Sequence, residues 1–158
     1  MCDYSLMAMP SRLAVSGDEL VVHRFDAKSV GLAAGSDARR AYRYGKARNE
    51  GLWAWLRRSL RPADTPIRTV CVPPGARLLI RDISAKLQRE CGFCEKVEEA
   101  VFTQVSNTVN TFRDAVRFQN GVVVLLQRLD EGQSVRVVDL SSAAVQLTAL
   151  KGRQRAMS

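Results

Sequence analysis

The sequence predicts an α+β domain: a mostly antiparallel, strongly bent sheet or small β-barrel, with an inserted pair of basic helices and a C-terminal helix. Three observations lead there. Runs rich in Val, Leu, Ile and Phe recur along the chain in the composition that suits strands. Gly, Pro and Asn punctuate them at turn-like intervals. Residues 36–61 break the series with helical periodicity and a dense run of arginines.

The elements follow in order. Gly17, Asp18 and Glu19 supply turn chemistry just before a strand over residues 20–25, and residues 30–33 continue the sheet, punctuated by Gly31 and Gly35. Ser36 or Asp37 can cap a short helix that Gly45 would end, and a second helix begins near Glu50 and stops at Pro62. On a wheel, Leu52, Trp53, Trp55, Leu56 and Leu60 lie to one side of that second helix, and Arg57, Arg58 and Arg61 to the other. Residues 68–72, the Pro73-Pro74-Gly75 turn and residues 77–83 read as strand, corner or hairpin, strand. Ser84 can cap a short helix ending near Glu90.

Residues 99–105 and 112–118 have strand composition. Asn120-Gly121 is a strong hairpin signal, and residues 122–128 form the return strand. A last strand covers residues 135–138, after which Ser141 caps the C-terminal helix. The reading is one domain over residues 1–150, with its insertion at 36–61 and a basic, flexible tail at 151–158. At 158 residues, with 46% hydrophobic and 25% charged, the chain falls in the globular range, which excludes disorder and collagen-like repeats. No apolar run approaches the roughly 20 residues a membrane helix needs. Asp3 stands where a signal peptide would carry Lys or Arg, so a cytoplasmic setting is expected.

Charge is unevenly placed. The chain has 24 Lys+Arg against 16 Asp+Glu, a net +8, and 19 of the cations are Arg. Residues 1–35 hold three positive groups and four negative, and residues 62–150 hold ten of each. Residues 36–61 hold eight positive groups against Asp37 and Glu50, hence +6. Arginine pairs carboxylate or phosphate bidentately and stacks on rings, so a localised excess of it points to an anionic partner. Arg39, Arg40, Arg43, Arg57, Arg58 and Arg61 would supply the charge, with Tyr42, Tyr44, Trp53 and Trp55 interleaved as anchors. An acidic protein is the favoured partner of a non-enzymatic accessory or binding module. Nucleic acid is the second reading, because bases stack on such rings, and a membrane surface is disfavoured by the short helix.

Enzyme chemistry has thinner support. If Met1 is removed, Cys2 would combine a thiol with a free α-amine that could act as its base. Class II glutamine amidotransferases and the proteins that trap abasic DNA sites begin with Cys, but continue with Gly where this chain has Asp3-Tyr4-Ser5. His23 is the only histidine, so three-histidine zinc and two-histidine iron sites are excluded within one chain. Sharing a face with Val21 and Phe25 by alternation, it reads as a core imidazole before it reads as a base for Cys2.

The four cysteines read as free thiols, Cys71 as inert core. Cys91-Gly92-Phe93-Cys94 has the spacing of a redox dithiol or half a zinc site. However, it follows a helix and precedes Glu95, Glu98 and Glu99, a field that raises thiol pKa values. Cys91 and Cys94 therefore remain the weak metal candidates, and no cofactor is expected. No Walker loop, GxGxxG, HExxH or GxSxG motif occurs.

The opening Met1-Cys2-Asp3-Tyr4-Ser5-Leu6, together with residues 20–25 and 112–138, resembles a group of uncharacterised bacterial proteins sharing this start. The resemblance implies a small bacterial domain and attaches no activity to it.

Overall fold

Alternating burial along short β-rich runs builds a sheet whose inner face gathers Leu20, Val22, Leu32, Leu78, Ile80, Phe102, Val116, Val124, Val135 and Val137 into a single hydrophobic cluster. The computed structural model describes residues 9–25, 29–39, 67–93, 95–105 and 112–143. Within them, strands β1 (Ser11–Leu13), β2 (Glu19–Arg24), β3 (Val30–Ala34), β4 (Thr69–Cys71), β5 (Arg77–Ile80), β6 (Glu98–Gln104), β7 (Asp114–Phe118), β8 (Val123–Leu125) and β9 (Ser134–Asp139) form one sheet. Their spatial order is β1-β4-β3-β2-β9-β5-β6-β7-β8. Only β1 and β4 run parallel; the other pairs are antiparallel.

This corrects the expected fold class. The described chain is mainly β, an open mixed sheet, and not an α+β fold around a bent antiparallel sheet or small barrel with a helical pair. Its end strands, β1 and β8, are three residues each and do not pair with one another. A 3-10 turn over Leu126–Arg128 follows β8, and Gln127 Nε2 donates to the β3 carbonyl of Val30 at 3.5 Å. Of the inserted stretch, residues 35–39 are helical and 40–61 lie outside the described residues. Ser141, expected as the cap of the C-terminal helix, is its first helical residue and donates through N and Oγ to Asp139, and the helix's course beyond residue 143 also lies outside the described residues.

Local chemistry explains the elements that match expectation. Ser84 Oγ accepts from Leu87 N at 3.3 Å and caps helix α1 (Ala85–Cys91), which Gly92 ends at φ +73°. The Asn120-Gly121 signal does mark a hairpin between β7 and β8, but as a three-residue loop. Gly121 N donates to Phe118 O at 3.0 Å, Phe118 N donates to Val122 O at 2.9 Å, and Gly121 alone takes a positive φ. Asn120 Nδ2 donates to Cys91 O at 2.9 Å, so the loop satisfies a carbonyl left open at the end of α1. Phe93 and Phe118 meet beneath it with ring centroids 4.4 Å apart.

The Pro73-Pro74-Gly75 segment makes a corner and no hairpin: Ala76 N donates to Pro73 O, yet β4 and β5 are separated in the sheet by β3, β2 and β9. No helix among the described residues is long and apolar enough to cross a membrane.

Candidate functional site: the base of the basic stretch

The basic stretch leaves the sheet directly after β3, and the chain returns in β4, which is hydrogen-bonded beside β3 with Ala33 opposite Thr69. Residues between them therefore form a long connection between neighbouring antiparallel strands. Gly35 sits where the stretch departs. A Cβ there would lie 3.1 Å from the carbonyl oxygen of Glu19, so a glycine suits this close approach. Ser36 Oγ lies 3.3 Å from Asp37 Oδ1, and Arg39 is exposed at the end of the described helix.

Around that base the carboxylates are engaged by arginines of the sheet. Arg12 grips Asp18 with both Nη atoms, at 2.7 and 3.1 Å, and Val15 N donates to the same carboxylate at 2.9 Å. The Arg12 bond holds the Asp18 carboxyl below its ordinary range against the opposing effect of burial, and Asp18 in turn raises the Arg12 guanidinium. Glu19 takes Arg81 at 3.3 Å and lies 3.6 Å from Arg136 Nε. Farther off, Glu99 holds Arg77 at 3.0 Å, Glu90 holds Arg128 at 2.8 Å, and Glu131 stands 3.9 Å from Arg24. Such exposed pairs add little stability singly. Their consequence is electrostatic, because these acids are already matched to cations of the same body.

Of the partner-binding candidates only Arg39 is described, and no ion pair involves it among the described residues. Arg40, Tyr42, Arg43, Tyr44, Trp53, Trp55, Arg57, Arg58 and Arg61 lie outside the described residues, as do Cys2 and Cys94.

His23 departs from its expected setting. The buried face of β2 is Leu20 and Val22, so alternation puts His23 on the other face, half-buried, edge-on to Phe25 with centroids 4.9 Å apart. Its Nδ1 is 3.9 Å from Glu131 Oε1. Burial lowers its pKa, with Glu131 opposing, which favours the neutral ring. Cys91 closes α1 as a buried free thiol, and loss of solvent pushes its pKa up, which makes it a poor nucleophile. Among the described residues no group of three or more His, Cys, Asp or Glu is arranged to hold a metal.

Cys71 corrects the free-thiol expectation. It is buried in β4 as expected, but it is disulfide-bonded. Since Cys91 is free, the other half of the bond lies outside the described residues. A bonded cysteine runs against an intracellular setting, where thiols are kept reduced. Peptide mapping after unfolding checks this: the Cys91 peptide should alkylate without a reductant and the Cys71 peptide only with one. Alkylation of Cys71 before reduction would show that the bond is not made.

No protein-family model, no curated protein and no solved structure matches the chain.

Proposed function

We propose that this chain is a non-enzymatic binding module that uses the arginine- and aromatic-bearing stretch at residues 36–61 to hold an acidic protein. The observation that carries the reading is the separation of charge. That stretch holds +6, whereas residues 62–150 balance ten cations with ten acids. Glu19, Glu90, Glu99, Glu131 and Asp18 already face arginines outside the basic stretch, so these acids are committed at home. A local surplus of bidentate donors is suited to carboxylates or phosphates brought by a partner. A second reading, single-stranded nucleic acid, draws on Tyr42, Tyr44, Trp53 and Trp55 lying among the arginines. The oxidation state of Cys71 separates a cytoplasmic role from one in an oxidising compartment.

The test is retention on heparin across a salt series. Replacing Arg57, Arg58 and Arg61 by Glu should move elution to lower salt and flatten the slope of log K against log salt by about three. Unchanged elution would remove the stretch as a binding site. Titrating the parent protein with a labelled single-stranded oligonucleotide tells the two partner classes apart: no shift at low salt disposes of nucleic acid.

A further inference from the structure

A second surface, away from the basic stretch, has a pattern that strand register alone creates. On the outward face, Arg77 of β5 stands opposite Val101 of β6, Val101 opposite Arg117 of β7, and Arg117 opposite Val123 of β8. On the other side of Arg77, the β5–β9 register shifts from Leu78–Val137 to Arg77–Asp139, which leaves Val138 as the extra residue of a bulge beside it. Val138, Val101 and Val123 are 40%, 39% and 42% exposed. The five side chains therefore alternate valine, arginine, valine, arginine, valine across five adjacent strands.

We propose that this row docks an acidic amphipathic helix of the partner, a reading that rests on the acidic-protein function above and names the form its partner takes. Strands lie about 4.8 Å apart, so successive valines are about 10 Å apart and the whole row spans about 19 Å. A helix laid across the strands rises about 1.5 Å per residue, which puts every seventh residue about 10 Å from the last. Apolar residues at that interval meet the valines. Carboxylates three and four residues after the first of them fall over Arg117.

Charge selects the sign of the occupant. Arg77 is engaged by Glu99, whose Oε2 also accepts from Gln119, and Asp139, opposite Arg77, is tied to Ser141, which leaves Arg117 as the open cation of the row. Arg117 has no carboxylate partner among the described residues and is flanked on both sides by apolar surface. Residues 40–61 and 151–158 of this chain are themselves basic and do not complement the row. A second copy docked by a two-fold axis through Val101 would set Arg77 against Arg117, like against like.

The probe is a synthetic amidated helix of about eighteen residues, with Leu at every seventh position and Glu at the third and fourth positions after each. Titrated with the full chain, it should bind saturably, and Arg117→Glu and Val101→Lys should each weaken it about tenfold. A lysine-for-glutamate version of the peptide should not bind. Both substituted side chains are exposed, so far-UV circular dichroism should be unchanged, and Arg117→Gln gives a milder variant that must still weaken binding. No binding overturns the proposal. Binding that ignores Arg117→Glu but is lost with Arg57, Arg58 and Arg61 replaced by Glu also overturns it, while leaving the proposed function standing. Weakening by Arg117→Glu with unchanged heparin elution in the three-arginine variant sinks the basic stretch and keeps the row.

Discussion

Replacing Phe102 by Ala should cost about 3–5 kcal/mol of folding stability, the usual range for emptying an aromatic site in a packed core. Phe102 is 2% exposed and belongs to the one hydrophobic cluster that β2, β3, β5, β6, β7 and β9 share. Its backbone joins β6 to the corner before β5, donating to Ala76 O and accepting from Gly75 N, both at 2.8 Å. Alanine keeps those bonds, so the loss reports packing alone. Whole domains are stable by only about 5–15 kcal/mol, so the variant should melt about 6–20 °C lower. Val101→Ala is the internal comparison. One residue earlier and pointing outward, it should cost under about 1 kcal/mol. A larger loss at Val101 than at Phe102 would mean that β6 is out by one residue and that its faces are exchanged.

That comparison also shows what sequence reading could reach. Short-range features were legible because neighbouring residues decide them. Ser84 ahead of α1, Gly121 in the β7–β8 loop and the apolar run at Val30–Ala34 each act within a few residues. Sheet order was not legible, since β9 slots between β2 and β5 and β1 runs parallel to β4. Those pairings join distant segments, and nothing in residues 134–139 names β2 as a neighbour. The barrel expectation failed for the same reason, because many short strands with turn signals between them suit an open sheet as well as a closed one.

His23 was misplaced by choosing the wrong parity on β2: Val21 and Phe25 share its face, but the core takes Leu20 and Val22. The candidate site divides similarly. The charge of residues 36–61 is a count and needs no structure. Setting Val101 and Arg117 side by side with Arg77 and Val123 takes three registers that only the folded sheet supplies.

Asp18→Ala should cost about 2 kcal/mol near neutral pH, and the cost should shrink in acid. The carboxylate closes the turn between β1 and β2, where Asp18 N donates to Val15 O and Gly17 takes φ +89°. It accepts two bonds from Arg12 and one from Val15 N, with its side chain 15% exposed. Alanine leaves the Val15 amide without its acceptor and the Arg12 guanidinium with only the Leu13 carbonyl. The same turn is hooked to β9, through Gly17 N to Val137 O and Val137 N to Asp18 O. Slower hydrogen exchange at those amides in the parent than in the variant would place the effect there.

The pH dependence has a definite sign. Asp18 titrates below its ordinary value in the fold, first because of the Arg12 bond, so folding favours its ionised form. Its contribution is complete above the unfolded pKa of about 3.9 and declines as pH falls through the lower folded value. Urea unfolding at neutral pH and at steps below about pH 4 should therefore show parent and variant converging as acid is added. A gap that stays constant over that range would mean the carboxylate acts through shape and not charge, and the Arg12 pairing would lose its role in fastening the β1 edge.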